Sequence, residues 1–231
     1  MVVTVFTPNG IVTATSSSDT FYENMGEGDM LVQKSIRVEG LPHTYLFWDK
    51  YVLTYNSLNQ NSYENRLIEE LNNLSNKWET VPPIQDFMPY VKKMIVDTHI
   101  QFIGILVGYD YNENGVLSPY VYQILGENIR RINLDNEGEV NYNCVYLEKE
   151  PYVGKLFQGI KLRNGDSWEE TNGIRLRCDL YSISKAIDLC SFMIKTNYYM
   201  ENLNTSNYTT PLPVEITITT SNRIESKTIN I

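Results

Sequence analysis

Two histidines and three cysteines, none at a metal-ligand spacing, leave few side chains in this chain with obvious chemistry. His43 and His99 stand apart from clustered cysteines or carboxylates, so they make a poor metal set and read as surface or strand-end residues. Asp110 and Glu113 are the nearest approach to a carboxylate pair for acid–base work. They flank a turn between strands, where such residues are far more often solvated. The run from Ser16 to Asp19 offers hydroxyls with no histidine suitably placed, and Ser/Asp loops usually cap and turn. Gly154 and Gly159 flank Lys155, but the spacing is not that of a phosphate loop and no Ser or Thr follows the lysine. Cys144, Cys178 and Cys190 have no CxxC spacing, and one is left over in any disulfide scheme. That predicts buried thiols in a reducing compartment. No cofactor and no metal are expected.

The elements that position these residues centre on His99 to Arg131, which reads as a β-meander. Its first strand, Ile100 to Val107, is nearly continuous in apolar residues, as in a strand buried on both faces. Pro119 to Leu125 returns, and Ile129 to Ile132 starts a third strand whose arginines should face water. A sheet buried on both faces needs covering layers on both sides. Upstream, Val2 to Thr7 and Ile11 to Thr15 form a hairpin, Ser16 to Gly28 a loop, Gln33 to Glu39 a strand, and Tyr45 to Tyr55 a second hairpin. Tyr63, Leu67, Leu71, Leu74 and Trp78 lie on one helical stripe capped by Ser62, and Phe87, Val91, Met94 and Ile95 on another with Pro89 in its first turn. Downstream come a strand from Tyr142 to Leu147, an ambiguous Tyr152 to Ile160, and a loop from Gly165 to Gly173. A helix capped by Ser182 follows, then a closing hairpin of Val214 to Thr219 and Arg223 to Ile229. The order suggests two stacked sheets with helices outside, in one domain over residues 1–231.

Composition narrows the function. Lys and Arg number 19 against 28 Asp and Glu, a net charge of −9, which argues against coating phosphates, so no nucleic-acid partner is expected. Seventeen tyrosines suit subunit interfaces as well as cores. The opening MVVTVFTPNG has no basic n-region or long apolar stretch, and no segment reaches membrane-spanning length. The expectation is a cytoplasmic protein with no membrane partner.

In this order of elements the chain resembles the proteasome-type N-terminal nucleophile hydrolases. Gly10-Ile-Val-Thr-Ala-Thr-Ser-Ser17 occupies the place of the family's first hairpin turn and second strand, and Tyr45 to Ser57 that of its second hairpin. Gly108-Tyr109-Asp110, Gly115, and Pro119-Tyr-Val-Tyr-Gln-Ile124 repeat the pattern of its central strands and are the most specific part of the likeness. The helix Ser184 to Glu201 and the final hairpin are similar in place and length, while the segment 19–42 looks like an insertion. The resemblance implies an α+β fold: a four-layer αββα sandwich of two stacked antiparallel sheets between helix layers.

It also implies a test of chemistry. Family enzymes use the hydroxyl of an N-terminal threonine as nucleophile and its own amine as base. The family's spacing back from Gly10 falls just before Met1, where no Thr, Ser or Cys stands. Thr4 becomes a nucleophile only if cleavage follows Val3. The family's carboxylate position is Ser16, its lysine position is His43 or Thr44 with Lys34 as a nearby substitute, and its late aspartate matches Glu201. No catalytic residue is therefore expected; the alternates are Thr4, Ser16, Lys34, Thr44 and Glu201. A site without its nucleophile loses nearly all activity. The expected function is a proteasome-like subunit without peptidase activity, acting by self-assembly, for example in a ring, or as a scaffold for a protein partner. The alternative is an active threonine-type peptidase or amidase after N-terminal processing. A small-ligand module in the old cleft is a third class, with no residue set to support it.

Overall fold

Strand-forming Val, Ile, Thr and Tyr dominate the chain, and the computed structural model is accordingly mostly β. It describes residues 1–16, 18–25, 32–39, 43–57, 62–100, 102–147, 161–164, 167–170, 174, 176–203 and 213–230. The first sheet joins β1 (Val2–Thr7), β2 (Gly10–Ser16), β10 (Cys144–Leu147), β13 (Pro213–Thr219) and β14 (Ile224–Asn230) in the order β10-β1-β2-β13-β14. The second joins β5 (Thr44–Phe47), β6 (Tyr51–Ser57), β7 (Phe102–Tyr111), β8 (Leu117–Leu125) and β9 (Asn128–Arg131) in chain order. Every pairing is antiparallel. Two further ribbons stand apart from these sheets: β3 (Ser18–Met25) with β4 (Val32–Glu39), and β11 (Lys161–Asn164) with β12 (Ser167–Glu170).

Helices α1 (Ser62–Ser75) and α2 (Ile84–Thr98) lie on the second sheet, and α3 (Ile183–Leu203) on the first. Period-2 alternation sorts the core into three parts. Phe47, Tyr51, Leu53, Phe102, Leu106 and Tyr120 meet Leu67, Leu71, Phe87 and Val91 of the first two helices. Val3, Val5, Val12, Ala14, Val214 and Ile216 meet Ala186, Cys190, Met193 and Ile194 of α3. Between the sheets, Val2, Phe6 and Ile11 face Val52, Ile105, Val107 and Val121. The central strand β7 is buried on both faces, as its apolar run predicts.

The fold class departs from the sequence expectation. This is not a four-layer αββα sandwich: among the described residues, two five-stranded antiparallel sheets carry the fold and only three α-helices accompany them. The reason lies in the strands themselves. Glu225, Ser226, Lys227 and Thr228 of β14 are all exposed, so that strand gives a further helix no apolar face to cover.

Local expectations shift too. Much of the Ser16 to Gly28 loop is strand β3, and the Gly165 to Gly173 loop contains β12. The Tyr152 to Ile160 stretch lies outside the described residues. Helix α2 begins at Ile84, so Pro89 stands in its second turn and removes one helical hydrogen bond. Arg131, expected in water, lies 3.7 Å from the Tyr120 ring centroid and donates to Asn133 Oδ1 and the Pro119 carbonyl. Stacking on an aromatic face lets a guanidinium sit half-buried.

Candidate functional site

The seam between the two sheets is where the sequence-nominated residues gather. Val2 and Phe6 face it from β1, so Thr4 between them does too, with Ile11, Thr13 and Thr15 from β2. On β13, Val214 and Ile216 pack toward α3, which turns Glu215 and Thr217 into the seam. On the opposite sheet, Tyr45, Phe47, Leu53 and Tyr55 point at the helices, leaving Thr44, Val52 and Thr54 on the seam side. One end of the seam is therefore lined by hydroxyls rather than hydrocarbon.

Those hydroxyls are mostly engaged. Thr4 Oγ1 donates to Thr13 Oγ1 at 3.2 Å, and Thr15 Oγ1 lies 3.2 Å from the Met1 carbonyl and 3.3 Å from that of Ser16. Burial raises the pKa of the Glu215 carboxyl, and the Thr44 hydroxyl lowers it by less, for a net shift upward. Thr54 is 1% exposed, and its hydroxyl has no hydrogen-bond partner among the described residues.

Of the five nominated residues, Thr4 is fully buried at mid-strand, paired with Val145 on one side and Thr13 on the other. Thr44 opens β5 and, by alternation with Tyr45, faces the seam. Ser16 closes β2 beside Val214 and, by alternation, faces the α3 side. Lys34 lies in β4 opposite Glu23, and Glu201 in the last part of α3; their side chains are outside the described set. The structure thus brings Thr4 and Thr44 to one seam and leaves Ser16 on the other face. Glu215 is the residue that sequence reasoning missed. In Val-Glu-Ile-Thr-Ile-Thr it reads as the solvent side of an alternating strand, and the only clue is that its neighbour β2 is apolar or threonine on both faces.

Asp110 is not the solvated turn residue that its place in the sequence suggests. It is 6% exposed, and its Oδ2 accepts from Tyr51 Oη and the Ile84 amide, both at 2.8 Å. Its Oδ1 accepts from the Tyr111 amide at 2.9 Å and Lys50 Nζ at 3.2 Å. Ile84 is the first residue of α2, and Pro83 before it supplies no side-chain cap, so Asp110 caps the helix from a distant strand. Burial raises its pKa, but the donors from Ile84, Tyr51, Tyr111 and Lys50 outweigh that and hold it below the ordinary carboxylate value. Its role is to fasten α2 to the sheet.

His43 is buried, edge-on to Tyr55 with ring centroids 6.2 Å apart, rather than at the surface. His99 is exposed in a left-handed conformation that caps the C-terminus of α2. No group of three or more metal-ligating side chains occurs among the described residues. A cleft of about 810 Å³ opens beside β10, lined among others by Tyr142, Cys144, Leu176, Arg177 and Met193. Arg177 there is held by Asp179 at 2.8 and 3.0 Å. Cys144 Sγ lies 3.5 Å from Met193 Sδ, and burial pushes its thiol well up, so it is no nucleophile at neutral pH.

No model of a known protein family matches the chain, and no curated protein matches it either. A solved structure does: Anbu from Hyphomicrobium sp. strain MC1, 14% identical, with a TM-score of 0.58, covering 99% of this chain and 87% of that one. The fold is similar to that of Anbu. That corrects the broader resemblance drawn from Gly108-Tyr109-Asp110 and its neighbours. Membership of the proteasome-type N-terminal nucleophile hydrolases is not supported; a likeness in fold to Anbu is what stands, and at this identity it carries no activity with it. No described helix is long and apolar enough to cross a membrane.

Proposed function

We propose that this protein works by assembling with copies of itself, as a proteasome-like subunit without peptidase activity. One observation carries the reading. Helix α3 buries Ala186, Cys190, Met193, Ile194 and Asn197 against the first sheet, yet Phe192 and Tyr199 on its opposite side are 52% and 54% exposed. Seven residues apart, they share one outward stripe, with Lys195 Nζ 6.0 Å from the Tyr199 ring centroid. Large aromatic rings on the water side of a helix that already has a full apolar face suit a protein interface. The absence of peptidase activity is supported by Thr4, whose hydroxyl is tied to Thr13 in mid-sheet and whose release as an amine terminus would cost the pairing of Val2 and Val3. Light scattering on purified protein at about 10 μM should give a multiple of 26.7 kDa with no turnover of peptide or amide substrates. A monomer at that concentration overturns the assembly reading, and turnover abolished by Thr4→Ala overturns the inactive one.

A further inference from the structure

Strand β14 forms one edge of the first sheet and, among the described residues, pairs only with β13. At 7 residues it is the longest edge of the two five-stranded sheets, the others, β5, β9 and β10, having 4 each. Glu225, Ser226, Lys227 and Thr228 are all exposed along it. The Thr220 amide donates to the Arg223 carbonyl at 2.9 Å, which makes those two a hydrogen-bonded pair, and such pairs alternate along an antiparallel ladder. Glu225, Lys227 and Ile229 therefore spend their backbone groups on β13, while Ile224, Ser226 and Thr228 turn theirs outward. Glu225 and Lys227 stand opposite Ile218 and Ile216, so both project on the α3 face. Arg223 Nη1 lies 3.0 Å from Glu225 Oε1, and Lys227 has no ion-pair partner among the described residues.

We propose that the β14 edge is an interaction surface for a second copy of this chain, which adds its own β14 antiparallel across a two-fold axis at Ser226. The inference rests on the self-assembly reading above and names a contact within it. Backbone polarity and charge choose the register together. With the axis at Ser226, the outward groups of Ser226 meet those of its counterpart, Ile224 meets Thr228 of the other copy, and Glu225 falls opposite Lys227. That last pair is a non-hydrogen-bonded one, in which Cα atoms approach to about 4.5 Å, and the symmetry makes it twice. An axis at Glu225 would oppose two glutamates and set Arg223 against Lys227, and an axis at Lys227 would oppose two lysines. Axes farther out leave less of the strand paired. A lone lysine on an edge strand repels such pairing, but the glutamate two residues away makes this edge self-complementary. One strand pair buries less than the about 1,000 Å² of a stable interface, so it adds to the α3 contact and does not replace it.

Charge exchange in the full chain tests this. Glu225→Lys and Lys227→Glu each set like charges opposite one another between identical copies, and each should weaken assembly about tenfold in sedimentation velocity. Mixed in equal amounts, the two variants restore opposite charges at both positions and should assemble nearly as well as wild type. Should either exchange fail to fold, Ser226→Cys, a near-isosteric change at an exposed residue, decides the matter. Its two copies would stand at a Cα separation of about 5.5 Å, within disulfide reach, and should cross-link under mild oxidation. Thr228→Cys, whose two copies would lie more than about 13 Å apart, should not. A wild type that sediments as a monomer overturns the assembly reading and this contact with it. A wild type that assembles overturns the contact alone if both exchanges assemble as it does, if two folded variants do not recover on mixing, or if Ser226→Cys and Thr228→Cys cross-link equally.

Discussion

Replacing Asp110 with asparagine tests how α2 is held. The carboxylate accepts from four donors, two on each oxygen, while an amide keeps one acceptor oxygen and turns an NH₂ toward the other pair. If the amide oxygen keeps Ile84 and Tyr51, the Tyr111 amide and Lys50 lose their acceptor. Both stranded groups reach water, Tyr111 being 65% exposed and the Lys50 side chain 35%, so each costs less than the about 1–3 kcal/mol of a buried group, and the lost charge weakens the bonds that remain. About 2 kcal/mol in all is expected, and for a chain of 231 residues at ~2–4 °C per kcal/mol that lowers Tm by roughly 4–8 °C. The sign with pH follows from linkage. The folded pKa of Asp110 lies below its unfolded value, near 3.9, so its stabilisation is fully present above that value and lost as pH falls through the folded one. Circular-dichroism melts from about pH 7 down to about pH 2.5 should show a gap between wild type and variant that is steady to about pH 5 and narrows in stronger acid. A variant melting within about 1 °C of wild type at neutral pH, or a gap that ignores acid, refutes the reasoning.

Two further expectations come from the same core. Gly108→Ala would drive a Cβ into Cδ1 of the fully buried Tyr51, whose ring cannot swing away without releasing Asp110; overpacking of this kind costs about 1–3 kcal/mol, and an unchanged denaturation midpoint would contradict it. Burial with Asp179 nearby pushes Cys178 up to about 11, and burial raises Cys144 and Cys190 as well. All three thiols should therefore resist a disulfide reagent at about pH 8 until denaturant is added, and rapid reaction in the folded protein would speak against it.

Much of the strand and helix order was readable because each element repeats a simple period. The doubly buried β7, the α3 stripe from Ile183 to Asn197 and the closing hairpin all lie near where alternation or helical spacing puts them. Residues whose partners are remote in sequence were not readable. Asp110 at the end of a strand before Asn112 and Gly115 looks like a turn residue, and only its meeting with Lys50, Tyr51 and Ile84 makes it a buried cap. Glu215 alternates with isoleucine as a surface residue would, and the second sheet across the seam is what half-buries it. The overreach in helix layers has the same origin. Sequence order suggested matched layers, while the polar β14 and a single α3 leave one side partly uncovered.

Sedimentation velocity on wild type and on the double variant Phe192→Asp, Tyr199→Asp addresses the assembly reading most directly, since both side chains are more than half exposed and neither contributes to the core. The reading predicts a wild type heavier than one 26.7 kDa chain and a variant that sediments as a folded monomer. A wild type that sediments as a monomer, or a variant whose assembly is unchanged, would contradict it.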